Sequence, residues 1–458
     1  MDRTQATQTR FTVVGGARSG LAVARLLAQV GAPVFLTDRA DPAPGLTDKL
    51  EDAGVAYEVG GHTALALDAD ALVLSPGVPS TANLVQQALR VGVPVYSEIE
   101  VASWFCQAPV VAVTGTNGKT TTTSLVGHVL RTARAGTDHA TIVAGNIGYP
   151  FSDYVLDARP ADVVVLEVSS FQLDHISTFQ PRVSVLLNIT PDHLDRYDYN
   201  FTAYAHSKFR VFENQTAGDA LVYNADDPVI HEYVTRTAHR RPSALLPFSQ
   251  QHEPEVGAFV RDNALVLRMY QQENVLMQVN QLALRGRHNL YNSLAAAVAA
   301  RAMEVRSDVV RESLASFEGV PHRLEHVRTL EGVRYVNDSK ATNVNAVWYA
   351  LESYHQPVVL ILGGRDKGND YSSLRPLVRS GARALVVLGE SSDKIMRELA
   401  PEAPHSVQVD SLEQAIQAAR LLAEPGDTVL LSPACSSFDM FENYEDRGDT
   451  FKRLVRAL

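Results

Sequence analysis

Cysteine is almost missing from this chain: Cys106 and Cys435 are the two present in 458 residues. That rules out a disulfide framework, and no CxxC pair is there to build a metal knuckle. Long apolar runs are missing too, since no stretch reaches the ~18 residues that cross a bilayer. The opening MDRTQATQTR is polar and lacks the apolar heart of a signal peptide. Positive charge is in deficit, with 41 Lys and Arg against 52 Asp and Glu and a formal net charge of -11. Such a balance argues against a nucleic-acid partner or an anionic membrane surface. Any anionic small molecule has to be held by a few local cations rather than by an overall field. Fixed-period repeats and low-complexity segments are also absent. Together these absences lead us to expect a cytoplasmic protein acting on small molecules; a monomer is the expected state.

What is present is ample core material. Hydrophobic residues make up 45% and charged residues 20% of the chain, proportions of a soluble globular protein. At ~150 residues per domain the length suggests roughly three domains. The hydrophobic pattern divides accordingly. RFTVVGGARSGLAVARLLAQVGAPVFLTDRA reads as strand, glycine turn, helix and a second strand ending in Asp38. ALVLSPGVP and VPVYSEIE read as further strands, separated by a helix at TANLVQQALRVG. A second unit starts with VVAVTG and continues through TIVAGN, DVVVLEVSS, VSVLLNIT and DALVYN, with helices between most of them. From ALLPFS to NQLALRG the pattern shortens into what reads as an antiparallel patch. A third unit begins near GVPHRLE, with strands at VRYVND, PVVLILGG, RALVVLGE and DTVLLSPA. The expected fold is α/β throughout: a Rossmann-like parallel sheet over 1–105, a P-loop ATPase-type mononucleotide-binding domain over 106–319, and a Rossmann-like domain over 320–458.

Ligands of open parallel sheets bind beyond the carboxyl ends of the strands, and the chemistry-bearing residues follow strand ends here. VVAVTGTNGKTTTT is the sharpest signal. Gly115 and Gly118 allow a tight turn whose N–H groups, with those of Thr116 and Asn117, can cradle phosphates at a helix N-terminus. Lys119 can reach the outer phosphates, while the Thr120 hydroxyl can ligate Mg²⁺ and Thr121 continues the turn. The strict GxxxxGK[ST] pattern wants glycine at Val113, so the match is to a shorter variant. GGARSG is weaker: Gly15 and Gly20 suit a dinucleotide fingerprint, but Ala17 replaces its second glycine. With Asp38 at the next strand end, NAD, a different nucleotide such as a UDP conjugate, and a structural turn all remain open. Glu167 and His193 each follow a central strand, where a carboxylate can be a Mg²⁺ ligand or base. Lys208 on YAHSKFRVFE reads as a solvated cation. Asp338, Lys340 and Thr342 in NDSKATN, Lys367 in GGRDKG, and Ser437 and Tyr444 in SPACSSFDMFENYEDRG sit on loops suited to a small anion.

In order along residues 115–448, GTNGKTT, GNIG, EVSSFQL, PDHLDRY, PHRLE, NDSKATN, LGGRDKG and SPACSSFDMFENYEDRG resemble the Mur ligases of peptidoglycan synthesis. NDSKATN with SSFQL points to the branch that adds D-glutamate. The resemblance implies ATP, two Mg²⁺ ions and an acyl phosphate formed on UDP-N-acetylmuramoyl-L-alanine. It implies that Lys119 cradles the ATP phosphates, that Thr120 and Glu167 hold one magnesium, and that His193 holds the second. Lys208 falls at the family lysine carbamylated by carbon dioxide, a modification that turns a repelled ammonium into an anionic oxygen donor. Asn292, His322, Arg323 and Asp338 fall where adenine, ribose and phosphate are handled. Lys340, Thr342, Lys367, Ser437 and Tyr444 fall where D-glutamate is bound. For the UDP-substrate the resemblance implies Arg18, Ser19, Asp38, Arg39, Ser75, Gly77 and Asn146, and so UDP rather than NAD at the first turn. A related folylpolyglutamate synthase would lack the domain in front of the ATP loop.

Overall fold

Three sheets follow one another along the chain; the computed structural model describes residues 1, 3–240, 242–366 and 368–458. The first contains β1 (Phe11–Val14), β2 (Val34–Asp38), β3 (Ala56–Val59), β4 (Ala71–Leu74) and β5 (Val95–Ser97). It is parallel throughout, in the order β3-β2-β1-β4-β5. The chain reverses its direction of strand addition between β1 and β4, which opens a crevice at their carboxyl ends.

The second sheet contains β6 (Val110–Thr114), β7 (Thr141–Gly145), β8 (Val163–Glu167), β9 (Val183–Leu186) and β10 (Ala220–Asn224), then β11 (Ala244–Ser249), β12 (Gly257–Arg261), β13 (Ala264–Met269) and β14 (Gln272–Gln278). Its order is β14-β13-β12-β11-β10-β9-β6-β8-β7. β6 and β8 are buried at every residue, as expected for β-branched runs covered on both faces. Register sets the site. Val113 pairs with Glu167, Thr114 with Leu186 and Gly145 with Glu167, so the loops after β6, β7, β8 and β9 leave the sheet side by side. The expected antiparallel patch is corrected at its start: β11 runs parallel to β10, and β12 parallel to β11, with antiparallel pairing confined to β12-β13-β14.

β15 (Glu325–Leu330), β16 (Val333–Asn337), β17 (Val358–Gly363), β18 (Ala382–Leu388), β19 (His405–Gln408) and β20 (Thr428–Leu431) form the third sheet. Its order is β15-β16-β20-β17-β18-β19, with β15 antiparallel. β3, β15 and β19 were not expected from the sequence. All three are edge strands with mixed exposure, so none carries a continuous or alternating apolar signal.

The first two sheets belong to one compact unit, residues 1–282 and 291–317; the third belongs to another, 283–290 and 318–458. Within the first unit a single apolar cluster runs from Phe11 and Val13 through Ile99 and Phe151 to Leu166 and Ile230. The helix Glu98–Ser103 is the seam, with Glu98 to Ala102 all buried. Glu100 accepts from the backbone N–H groups of Ser177, Thr178 and Phe179 and from the Thr178 hydroxyl and Trp104 indole. Hydrogen bonds to a charged group contribute about 1.5–3 kcal/mol each, net of the exchange with water. Glu98 is less well served. Its Oε1 accepts from Ser152 N and Oγ, both at 2.7 Å, while Oε2 has no hydrogen-bond partner.

Burial therefore pushes the Glu98 carboxyl up to about 7, against the pull of the Ser152 bonds. A carboxyl whose folded value exceeds its unfolded value favours the folded state at low pH and loses that contribution as pH rises to the folded value. The loss, on the order of 3 kcal/mol, falls between about pH 4.5 and 7. Glu98→Gln keeps the acceptor and cannot ionise. Denaturant unfolding at pH 5 and pH 8 should show a smaller pH-dependent decline for Glu98→Gln than for the wild type, and a more stable variant at pH 8. Parallel declines would remove Glu98 as the source.

Candidate active site

β6 ends at Thr114, and the chain turns through Gly115–Gly118 into the helix Lys119–Ala133. Gly118 has φ +82°, and a Cβ there would lie 2.3 Å from Asn292 Oδ1, so only glycine closes this turn. Asn292 Oδ1 also accepts from Thr122 Oγ1 at 3.2 Å, which fixes the helix carrying it against the loop. Asn188, just past β9, splints the loop from its other side. Its Oδ1 accepts from Asn117 N at 2.8 Å, its Nδ2 donates to Asn117 O at 3.0 Å, and its own carbonyl accepts from Thr116 N. Sequence reading missed Asn188, because an asparagine after a strand is an ordinary turn signal. Thr116 Oγ1 contacts Thr190 O and the Tyr204 hydroxyl, each at 3.0 Å.

Two lysines reach this loop. Lys119 Nζ donates to Gly115 O at 3.0 Å and Thr116 O at 2.7 Å. Lys208, from the helix Phe201–Phe209, donates to the same Gly115 O at 2.8 Å. Lys208 is only 2% exposed, which corrects its reading as a solvated cation. Burial and then the Lys119 charge hold its ammonium well below the ordinary lysine range, despite Asp192, Asp174 and Glu167. Desolvation of this kind favours the neutral amine over the ammonium.

Beside the loop, Thr120 Oγ1 donates to Glu167 Oε2 at 2.6 Å, and Asn146 Nδ2 donates to Glu167 Oε1 at 2.8 Å. Thus Thr120, Glu167 and Asn146 come together. Among the described residues no group of three or more His, Cys, Asp or Glu side chains could hold a metal alone. A hydroxyl and a carboxylate 2.6 Å apart do suit Mg²⁺, which takes one or two protein oxygens and completes its shell with phosphate and water. His193 lies in the left-handed region at φ 51°. Its ring meets Phe171 edge-on at 5.2 Å, and its Nε2 lies 3.8 Å from Asp192.

At the β1/β4 crevice, a cavity of about 360 Å³ is lined by Gly15, Asp38, Arg39 and Gly77 together with His62, Val78, Thr81 and Asn83. His62, Thr81 and Asn83 are additions that no sequence pattern marked. Asp38 already accepts from Gly16 N at 2.6 Å and Ala40 N at 2.9 Å. Gly20 is where the following helix touches the turn: a Cβ there would sit 1.8 Å from Gly15 O. Ser75 is buried against Gly15 rather than lining the cavity. Arg18 donates to Gly148 O at 3.3 Å, and Ser19 is half-buried outside the cavity lining.

In the second unit, Asp338 is buried, accepts from Ser432 Oγ at 2.8 Å and Leu324 N at 3.2 Å, and lies 3.7 Å from Arg323 Nη1. Burial raises its carboxyl to about 6 in spite of Arg323. His322, at φ 63°, has its Nδ1 3.0 Å from Asn337 Nδ2. Lys340 donates to the Tyr444 hydroxyl at 3.0 Å and lies 4.8 Å from that ring's centre. Arg447, unmarked in the sequence, is buried beneath them and donates to Ser339 Oγ, Ser339 O and Cys435 O. Thr342 is half-buried beside Lys340, and Ser437 is buried at the start of a turn capped by Met440 N and Phe441 N. Lys367 lies outside the described residues.

Strand, glycine turn, lysine and helix define the middle sheet as a phosphate-loop nucleotide-binding domain of ATPase type. Three family descriptions match in sequence: the Mur ligase MurD-like N-terminal domain over 9–97, the Mur ligase middle domain over 113–300, and the Mur ligase glutamate ligase domain over 322–435. The chain belongs to the Mur ligase family. It is 64% identical to the UDP-N-acetylmuramoylalanine--D-glutamate ligase of Salinibacter ruber, covering 98% of each chain. It is 45% identical to the protein of that name from Chloroherpeton thalassium, again over 98% of both. In fold it resembles MurF from Acinetobacter baumannii, with TM-score 0.63, 15% identity and 98% of each chain covered. Escherichia coli FolC in complex with DHPP and ADP gives TM-score 0.58 at 18% identity, over 78% of this chain and 92% of that one.

Gly118→Ala tests the loop. The strained φ and the Asn292 contact should weaken binding of Mg·ATP at least ~10-fold, measured by calorimetry, with the fold retained by circular dichroism. Unchanged affinity would mean that nucleotide does not sit on this turn.

Proposed function

We propose that this chain is the ligase that joins D-glutamate to the L-alanine carboxylate of UDP-N-acetylmuramoyl-L-alanine, releasing ADP and phosphate in peptidoglycan precursor synthesis. The observation that carries the reading is the full-length likeness to D-glutamate ligases, coinciding with a lysine-bearing phosphate loop beside Glu167 and Lys208. Residues 1–105 would hold the UDP-sugar, 106–319 the ATP and 320–458 the amino acid. The working compartment would be the cytoplasm and the working unit a monomer.

A carboxylate is a poor electrophile, because its charge repels an incoming amine. Transfer of the ATP γ-phosphoryl group to it removes that charge and installs a leaving group. The amine of D-glutamate then adds to the acyl carbon, and collapse of the tetrahedral intermediate expels phosphate and forms the amide. The protein's share is positioning and charge compensation. Lys119 and the N–H groups of the 115–121 loop hold the triphosphate. Asn292, His322, Arg323 and Asp338 take the nucleoside and its phosphates. Thr120 and Glu167 would hold one Mg²⁺, and His193 with modified Lys208 the second; bound magnesium withdraws charge from the phosphoryl oxygens. The depressed basicity of Lys208 supports carbamylation, because the neutral amine adds to carbon dioxide and sheds a proton to leave an anionic carbamate. Lys340, Thr342, Lys367, Ser437 and Tyr444 would bind the two carboxylates of D-glutamate, and Arg18, Ser19, Asp38, Arg39, Ser75, Gly77 and Asn146 the UDP-substrate.

Purified enzyme should release ADP with UDP-N-acetylmuramoyl-L-alanine and D-glutamate, and not when L-alanine or a diamino acid replaces the D-glutamate. Release with those amino acids alone would overturn the reading. Lys208→Ala should lower kcat roughly a thousandfold, with partial recovery in buffers containing a small carboxylate. Near wild-type turnover in that variant would remove Lys208 from the site.

A further inference from the structure

Arg196 follows His193 by three residues and has so far been given no role. Its Nη2 donates to Val78 O at 3.1 Å and Pro76 O at 3.4 Å, in the turn after β4 whose Gly77, Val78 and Pro79 wall the cavity of about 360 Å³. Its guanidinium carbon also lies 4.2 Å from the centre of the Phe171 ring. The His193 imidazole meets that same ring edge-on at 5.2 Å, and Tyr197 stacks on it at 6.1 Å. Phe171 itself is held in place. It sits on the short helix Ser170–Leu173, whose capping box joins Ser169 and Gln172, a few residues beyond Glu167.

One guanidinium therefore joins the cavity wall to the ring against which His193 is set. The loop between them is not rigid by backbone preference. His193, Asp198 and Tyr199 all have positive φ, at 51°, 51° and 58°, a conformation that non-glycine residues hold only when side-chain contacts impose it. Arginine suits the task, since one terminal nitrogen reaches two carbonyls while the planar guanidinium lies over an aromatic ring.

We propose that Arg196 is a positioning residue that couples filling of the β1/β4 cavity to the orientation of His193 through Phe171. The proposal rests on the reading that this cavity takes the uridine diphosphate moiety. When the cavity fills, the Pro76–Val78 turn moves against the guanidinium, the guanidinium against the ring, and the ring against the imidazole. Phosphoryl transfer then waits for a seated acceptor, and ATP is not spent on water.

The test uses full-length protein labelled with ¹⁵N-histidine, with the His193 ring signal identified by its loss in His193→Gln. Titration of the wild type with UDP should shift that signal with the same saturation as UDP binding measured by calorimetry. In Arg196→Met and, independently, Phe171→Leu, UDP affinity should stay within about threefold while the His193 signal no longer responds. In turnover, both variants should lose about ten- to hundredfold in kcat with little change in KM for the acceptor. Arg196→Lys, which keeps the charge without the fork, should fall between. A His193 signal that still follows UDP in both variants, or a rise in acceptor KM with kcat intact, overturns the coupling alone. A wild type that binds no UDP overturns the reading of the cavity and the coupling with it.

Discussion

Two ammonium groups aimed at one carbonyl oxygen are the constraint from which the site follows. Lys119 and Lys208 both donate to Gly115 O, and Lys208 does so from full burial. Like charges on one acceptor, one of them buried, repel each other, and Asp192, Asp174 and Glu167 offset only part of the cost. Two changes relieve it: a polyanion settling on the loop, or loss of the Lys208 charge. In the proposed chemistry a triphosphate would supply the first and carbamylation the second.

The second constraint is that the β1/β4 cavity and the phosphate loop stand in one packed unit. Glu100 collects three successive backbone N–H groups from across the seam, Glu98 is anchored on Ser152, and Arg196 spans from the His193 loop to the Pro76–Val78 turn. In-line transfer demands that carboxylate and γ-phosphorus be set within a fraction of an ångström. A shared apolar cluster with buried charge-assisted bonds gives that stiffness more readily than a flexible linker would.

What the sequence made legible is what physics writes locally. The β6 strand, its glycine turn and Lys119 were readable because β-branched burial, tight turning and phosphate binding each impose a residue type at a fixed offset. Glu167 was readable as a strand-end carboxylate, though only the register pairing it with Val113 shows why it meets Thr120. Lys208 read as solvated, because nothing local to YAHSKF reveals that its helix turns the side chain inward. The edge strands β3, β15 and β19 went unread, their half-exposed faces leaving no periodic signal. Asn188, Arg447 and Arg196 act across 71, 108 and 118 positions of chain, and such pairings appear only once the fold has closed.

The acidic balance of the chain finds its sense in how the cations are deployed. With a net charge of -11, the protein has no general field to draw in three anionic substrates. Lys119 rests on two carbonyls, Lys208 on one, and Lys340 on a phenolic oxygen and its ring. A phosphate or carboxylate oxygen arriving at any of these positions would add charge–charge attraction there. Lysines and arginines bound to carboxylates, such as Lys394 with Asp366 and Arg383 with Asp427, would have to break one ion pair to form another, and they serve the scaffold. Specific anions are thus favoured at a few prepared points while stray polyanions are repelled elsewhere, which an enzyme handling nucleotides among nucleic acids requires.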